Sequence, residues 1–416
     1  MSRKLKNKYG PWVTGDDFFN RKAEIRLLTK LLGGDNGTND ATGRNLLVVA
    51  PRRVGKTSLI RETFRQMGKK NSHYFIFLDI QDCSSPEEVM VALSMGAYQY
   101  QTLQKKVMDV FKSLWEQLKH SVETIGAPEF LEIRLREGFK GDWQVKGKQL
   151  LENLTKADRP IVICLDELPI MVSRLLKTSS QDTQIFLSWL RQVMGMYQER
   201  LSFIICGSIG LEPILKRYGL SHTIAHLQPF PLDAWDRKTA IRCLTLLAET
   251  SKLQLEQTMA EKMLDYLGVY VPHHVQMFFG HLYEMLFKQD RTKPNIEDID
   301  TVYKNSMLST RGHAELADYE ERLLRVLSKK TIPLALELLT ETAVSRFLTI
   351  KNSRLLADRS QLSDKDTTLR EVTDVLEHDG YLLWDEDSDG WKFSSYLIRD
   401  WWKRRFSQSY VTIDKE

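Results

Sequence analysis

Long apolar runs are missing from this chain. No segment approaches ~20 uninterrupted apolar residues, so no membrane span is expected. The opening MSRKLKNKYG is basic, but no apolar stretch long enough for a signal peptide follows it, and a cytoplasmic location is the expectation. Cysteine is scarce: Cys83, Cys164, Cys206 and Cys243 stand alone, with no C-x-x-C pair and no His-x-x-x-His spacing. Neither a zinc site nor a disulfide framework is therefore expected, and Cys164 and Cys206, set in apolar runs, read as small core residues. His273 and His274 are adjacent, and helix neighbours point to different faces, which argues against a shared metal. Charge of one sign is also short. A net charge of +4 excludes a strongly basic nucleic-acid coat, though not a local patch. Internal repeats and low-complexity segments are absent.

What is present suffices for a large folded protein. At 416 residues and 42% hydrophobic, the chain has material for two or three domains of roughly 100–200 residues each. Apolar residues recur at helical spacing from Phe18 to Leu32, and a Gly-, Asn- and Asp-rich loop covers Gly33 to Arg44. Short apolar runs at Leu46–Val49, Tyr74–Ile80, Ile161–Leu165 and Phe203–Cys206 predict buried parallel strands. Helical patterns lie between them: Lys56 to Met67, a long helix carrying Leu103, Val107, Phe111, Leu114 and Leu118, Lys146 to Leu154, and Thr183 to Tyr197. Glu129 to Leu135 alternates and reads as a further strand. This order predicts an α/β domain with a parallel sheet flanked by helices. After Pro229 and Pro231 the pattern turns helical to about Thr310. Helices at Leu316–Leu327, Leu334–Thr342 and Thr368–His378 then precede a hairpin around Asp387-Ser388-Asp389-Gly390, the layout of a winged helix-turn-helix. The expected domains are 1–231, a helical lid at 232–312 and a winged helix at 313–416.

The strongest motif is Ala50-Pro51-Arg52-Arg53-Val54-Gly55-Lys56-Thr57-Ser58, between a predicted strand and a predicted helix. Such a loop turns successive backbone N–H groups to one point, and the helix dipole adds positive potential there, so phosphates are held by donors the chain already owns. Gly55 admits close backbone approach, Lys56 reaches the β- and γ-phosphates, and the Thr57 hydroxyl can coordinate Mg²⁺. Ala50 stands where glycine is usual, which is tolerable only if its φ stays negative.

Asp166 and Glu167 follow the Ile161–Leu165 run, at the edge of a parallel sheet where the phosphate loop also emerges. Asp166 would hold Mg²⁺ and Glu167 would deprotonate the attacking water; the plainer reading is an acidic helix N-terminus. Ser208, after Phe203–Cys206, is placed to touch the γ-phosphate or the water, or simply to start a turn. Arg191, Arg200 and Arg217 are the arginines placed to neutralise transition-state charge, in cis or across a homo-oligomer interface.

Phe19-Asn20-Arg21-Lys22-Ala23-Glu24, APRRVGKTS, LDELP and CGSIGLE occur in this order, and FSS with LIRDWW close the chain. The sequence thus resembles the archaeal-type ATPases of prokaryotes, a P-loop branch close to the STAND and origin-recognition ATPases. The resemblance covers nearly the whole chain and implies a P-loop NTPase sheet, a helical lid, a C-terminal winged helix, ATP and Mg²⁺, with Phe19, Asn20 and Arg21 near the adenine. No lid arginine equivalent to a second sensor stands out; Pro272 and His273 are about where the lid would approach the nucleotide.

The expected function is a Mg²⁺-dependent ATPase that acts as a nucleotide-controlled switch for a protein or nucleic-acid partner. The rivals are an ATP-regulated DNA-binding protein and a scaffold that binds nucleotide without hydrolysing it. In the candidate recognition helix, Thr367 to His378, Glu371, Asp374 and Glu377 face only Arg370 in opposition, and Asp385, Glu386, Asp387 and Asp389 make the wing acidic. Base reading through this face is disfavoured. Trp401 to Phe406 is basic and aromatic, and is expected to dock Trp401 and Phe406 into the core in preference to binding phosphates. The run Arg3, Lys4, Lys6 and Lys8 reads as a solvated tail.

Overall fold

The computed structural model describes residues 4–8, 12–33, 44–111, 128–360, 362 and 364–413. The chain forms two compact units, one of Arg21–Val49 and Leu59–Pro231, the other of Met1–Asn20, Ala50–Ser58 and Leu232–Glu416.

The first unit is built on a five-stranded parallel sheet: β1 (Leu46–Val49), β2 (Tyr74–Asp79), β3 (Ile161–Asp166), β4 (Leu201–Cys206) and β5 (Gln228–Pro231), in the order β2-β3-β4-β1-β5. Every residue of β3 and β4 is buried, which is why Ile161–Leu165 and Phe203–Cys206 within them read as apolar runs. Each fully buried Ile, Val or Leu there contributes roughly 1.5–3 kcal/mol. The edge strand β5 pairs only with β1 and contains Pro229 and Pro231. Proline lacks the N–H that a central strand would need on both sides, so the edge is where it fits. The sequence pattern marks these prolines only as a change of character.

Around the sheet lie α1 (Lys22–Leu31), α2 (Lys56–Lys69, whose first three residues belong to the other unit), α3 (Pro86–Tyr98), α4 (Gln101–Met108), α5 (Pro128–Phe139), α6 (Trp143–Thr155), α7 (Leu168–Thr178), α8 (Ser180–Met196) and α9 (Leu211–Arg217). The expected strand at Glu129–Leu135 is instead part of helix α5. Leu131, Leu135 and Phe139 are buried at four-residue spacing, whereas Ile133 is 56% exposed, so the alternation was a helical stripe sampled too briefly. α1 begins at Lys22, later than the pattern from Phe18 implied, because Asn20 and Arg21 both take positive φ (61° and 67°). The long helix past Leu103 ends at Met108 in a short 3-10 turn to Phe111; Leu114 and Leu118 lie outside the described residues.

The second unit carries α10 (Arg237–Ser251), α11 (Gln257–Leu267), α12 (Pro272–Lys288) and α13 (Ile296–Val302), the last begun by a capping box between Asn295 and Asp298. Beyond them come α14 (Thr310–Val326), α15 (Ile332–Ser345), β6 (Leu348–Thr349), α16 (Ile350–Arg359), α17 (Lys365–His378), β7 (Leu382–Asp385), β8 (Gly390–Phe393) and α18 (Tyr396–Phe406). The three strands form an antiparallel sheet ordered β6-β8-β7. α18 packs on α15: Trp401 is buried as expected, whereas Phe406 is only half-buried and packs on Trp402, the ring that enters the core and donates its indole N–H to Thr340 Oγ1 at 3.2 Å. The Tyr303 hydroxyl donates to Asp400 at 2.8 Å, tying α18 to the segment after α13. No helix among the described residues is long and apolar enough to cross a membrane.

Candidate functional site

The loop Ala50–Gly55 joins β1 to α2. Val54 is buried and anchors it. Gly55 has φ +99°, which an L side chain rarely adopts, so glycine is required for the loop to enter α2 on this path. Ala50 is not among the residues with positive φ, and its methyl group carries no strain. Lys56, the first residue of α2 and 8% exposed, folds its ammonium back over the loop, donating to the carbonyls of Ala50 (2.9 Å) and Pro51 (3.1 Å). Ser58 Oγ accepts from the Val13 amide at 3.0 Å. The loop is also held from its own unit by Asp318, which the sequence does not single out, and by His273, expected about where the lid approaches the nucleotide. Arg52 forms an ion pair with Asp318 of α14, and Arg53, at φ 63°, lies 2.8 Å from His273 Nε2 at the start of α12.

In the other unit, strand register sets Asp79, Asp166 and Cys206 side by side at the carboxyl edge of the sheet, the edge from which β1 also leaves. Asp166 is 7% exposed and accepts a hydrogen bond from the Cys206 thiol at 3.1 Å. Cys206 lies 3.8 Å from Cys164. Its hydrogen bond to Cys164, and then burial, push the Cys206 thiol well up, so it stays protonated and remains a donor. Glu167 caps α7 in a left-handed conformation (φ 63°), which costs a non-glycine residue roughly 1–2 kcal/mol. Its carboxylate accepts from both the amide (2.8 Å) and the hydroxyl (2.9 Å) of Ser208. Ser208 thus meets Glu167, a contact the sequence reading did not anticipate.

Of the residues expected near an adenine, Phe19 is buried edge-on against Trp235 (5.5 Å between ring centroids), and Asn20 donates to Thr239 at 3.3 Å, both on the approach to α10. Arg21 pairs with Glu24 at 2.9 Å. Arg200 precedes β4 at the amino edge of the sheet, the end opposite Asp166, and donates to the carbonyls of Thr155 and Ala157 at the end of α6, which places it away from this chain's own strand-end carboxylates. Arg191 donates to the His222 carbonyl at 2.8 Å.

A five-stranded parallel sheet flanked by helices, with a glycine-containing loop after β1 and acidic residues at the end of β3, is the fold of the P-loop ATPases. Among solved structures the chain is similar to the Walker-type ATPase of Pyrococcus abyssi, with a TM-score of 0.62 at 15% identity over 95% of this chain and 99% of that one. It is also similar to the ORC2 protein of Aeropyrum pernix in its ADPNP–ADP complexes, with a TM-score of 0.58 at 13% identity over 95% of each. No family model matches the sequence, and no curated protein sequence matches it significantly.

Proposed function

We propose that this chain binds ATP with Mg²⁺ at the Ala50–Ser58 loop, hydrolyses it, and uses the nucleotide to switch a C-terminal module that engages a partner protein. The observation that carries the first step is the loop itself. Gly55 sits at a φ that keeps the backbone bare, and Lys56 lies across carbonyls it can leave for phosphate oxygens. The donor set suits the ion, since a threonine hydroxyl and a carboxylate are the hard oxygen ligands Mg²⁺ prefers. Thr57 and Asp166 would hold it, and when bound it would neutralise charge on the phosphate oxygens. Residues 50–58 supply amides and the dipole of α2 to the phosphates. Glu167 takes the proton of the attacking water, and Ser208, now bonded to that carboxylate, sets its orientation. Phe19, Asn20 and Arg21 are proposed to flank the base, and Arg191 and Arg217 remain arginine candidates in cis.

The switch reading is supported by what grips the loop. Arg52 is paired with α14 and Arg53 with α12, and a side chain at Gly380, just past α17, would come within 3.1 Å of Pro51. Asp318 adjoins Tyr319, whose carbonyl accepts from the Tyr381 hydroxyl at 2.5 Å. A phosphate that draws Arg52 or Arg53 away loosens a segment that reaches the start of β7. We read 232–312 as the lid and 313–416 as a winged helix on these grounds. The test is ATP binding and phosphate release by the wild type, Lys56→Ala and Glu167→Gln, with protease sensitivity of 313–416 measured with and without ATP. Binding without turnover in the wild type would leave a nucleotide-binding scaffold. Equal ATP affinity in Lys56→Ala would remove the whole reading.

A further inference from the structure

The hairpin β7–β8 exposes apolar side chains that its small sheet does not cover. Leu382 and Phe393 pair across the strands and are buried, but the next pair outward, Trp384 and Trp391, leaves the core. Trp384 is 39% exposed and meets Trp391 edge to face at 5.0 Å. On the other face of the strand Leu383 is 46% exposed. These groups are held in place: the Trp391 indole donates to Glu377 of α17 at 2.7 Å, and Lys392 pairs with Asp385 at 2.5 Å. The surroundings are strongly acidic. Between 364 and 389 ten carboxylates stand against Lys365 and Arg370, in a chain whose net charge is +4. Glu377, Glu386, Asp387 and Asp389 are exposed around the aromatic pair.

We propose that this wing is a docking surface for a cationic segment of a partner protein, with arginine or lysine side chains alternating with apolar ones. The two features select the same occupant. A guanidinium is attracted to an exposed indole face and to the carboxylates beside it, while its apolar neighbours cover Leu383 and Trp384. A phosphate backbone would meet the same carboxylates as like charge and is repelled. Trp391 and Lys392 already have partners before contact, so little of their side-chain entropy is lost on docking. This surface stands independently of any nucleotide chemistry.

The probe is a short fluorescein-labelled peptide of alternating arginine and leucine, titrated into the full chain at several salt concentrations, with a glutamate–leucine peptide and duplex DNA as comparators. The arginine peptide should bind, weaken as salt rises, and lose about tenfold in affinity to Trp384→Ala. The double change Glu386→Lys with Asp387→Lys should cost at least about tenfold and flatten the salt slope. Both variants change exposed positions, and unaltered circular dichroism confirms their fold. Peptide affinity unchanged in both variants, or duplex DNA bound more tightly than the peptide by the wild type, would overturn the proposal.

Discussion

The two sheets of this protein put their polar chemistry in opposite places. In the five-stranded sheet, β3 and β4 are buried along their whole length, and apart from Ser202 their polar groups gather where the strands stop, at Asp166, Glu167, Cys206 and Ser208. In the three-stranded sheet one pair, Leu382 and Phe393, faces the core, and the polar and aromatic groups spread over the remaining surface. A sheet covered on both faces offers only its ends, where few residues stand close together and their geometry is fixed by register. A half-covered sheet offers a face, which suits recognition of a larger and less exactly defined object.

The largest effects should come from the first sheet and its loop. Lys56→Ala removes charge-assisted bonds to phosphate and should lower ATP affinity by about 10²–10³-fold by calorimetry. Glu167→Gln should leave that affinity nearly intact and reduce phosphate release by roughly 10²–10⁴-fold. If instead Glu167→Gln weakened binding as much as Lys56→Ala does, the division between holding and reacting groups would fail.

The second region should respond most in stability. Arg322 and Asp379 form a buried pair at 3.1 Å, with side chains 4% and 2% exposed. Asp379→Ala strands the guanidinium and should cost about 3–5 kcal/mol in urea unfolding, whereas the double change Arg322→Met with Asp379→Leu should recover most of it. A smaller effect sharpens the first region. Cys206→Ala removes the donor to Asp166 and should weaken Mn²⁺ binding, followed by electron paramagnetic resonance with ATP present, roughly tenfold, with Cys206→Ser restoring it. The least is a pH effect. Burial, then His273 and Arg53, hold the His274 imidazole well below its ordinary 6.5, so it is neutral when folded. The unfolded chain takes up a proton there as pH falls below about 6.5, so stability should drop by up to about 1.4 kcal/mol per pH unit on acidification. Thermal melts of His274→Phe should show a flatter slope over that range.

These differences also explain what could be read in advance. The strands of the parallel sheet were legible because burial on both faces demands continuous apolar runs, and the places of Lys56 and Thr57 at the start of α2 and of Asp166 and Glu167 at the end of β3 because strand and helix patterns meet there. Helix α5 was misread because Leu131, Ile133 and Leu135 satisfy a two-residue period over too short a window. Helix α3 escaped notice because Val89, Met90, Val91, Leu93 and Ala97 are all buried, which leaves no polar stripe to mark its period. The partners of Arg52, Arg53 and Cys206 were invisible for another reason. Asp318 is 266 residues from Arg52, and no local pattern records a contact at such separation.

The folded-back ammonium of Lys56 has a consequence for binding. Without ligand, the loop already satisfies its own cation with two carbonyls, so any anion must outbid that arrangement before it can settle. On the proposed reading, phosphate oxygens would have to replace both carbonyls at the ammonium, so binding and a local release of Lys56 from Ala50 and Pro51 would be one event.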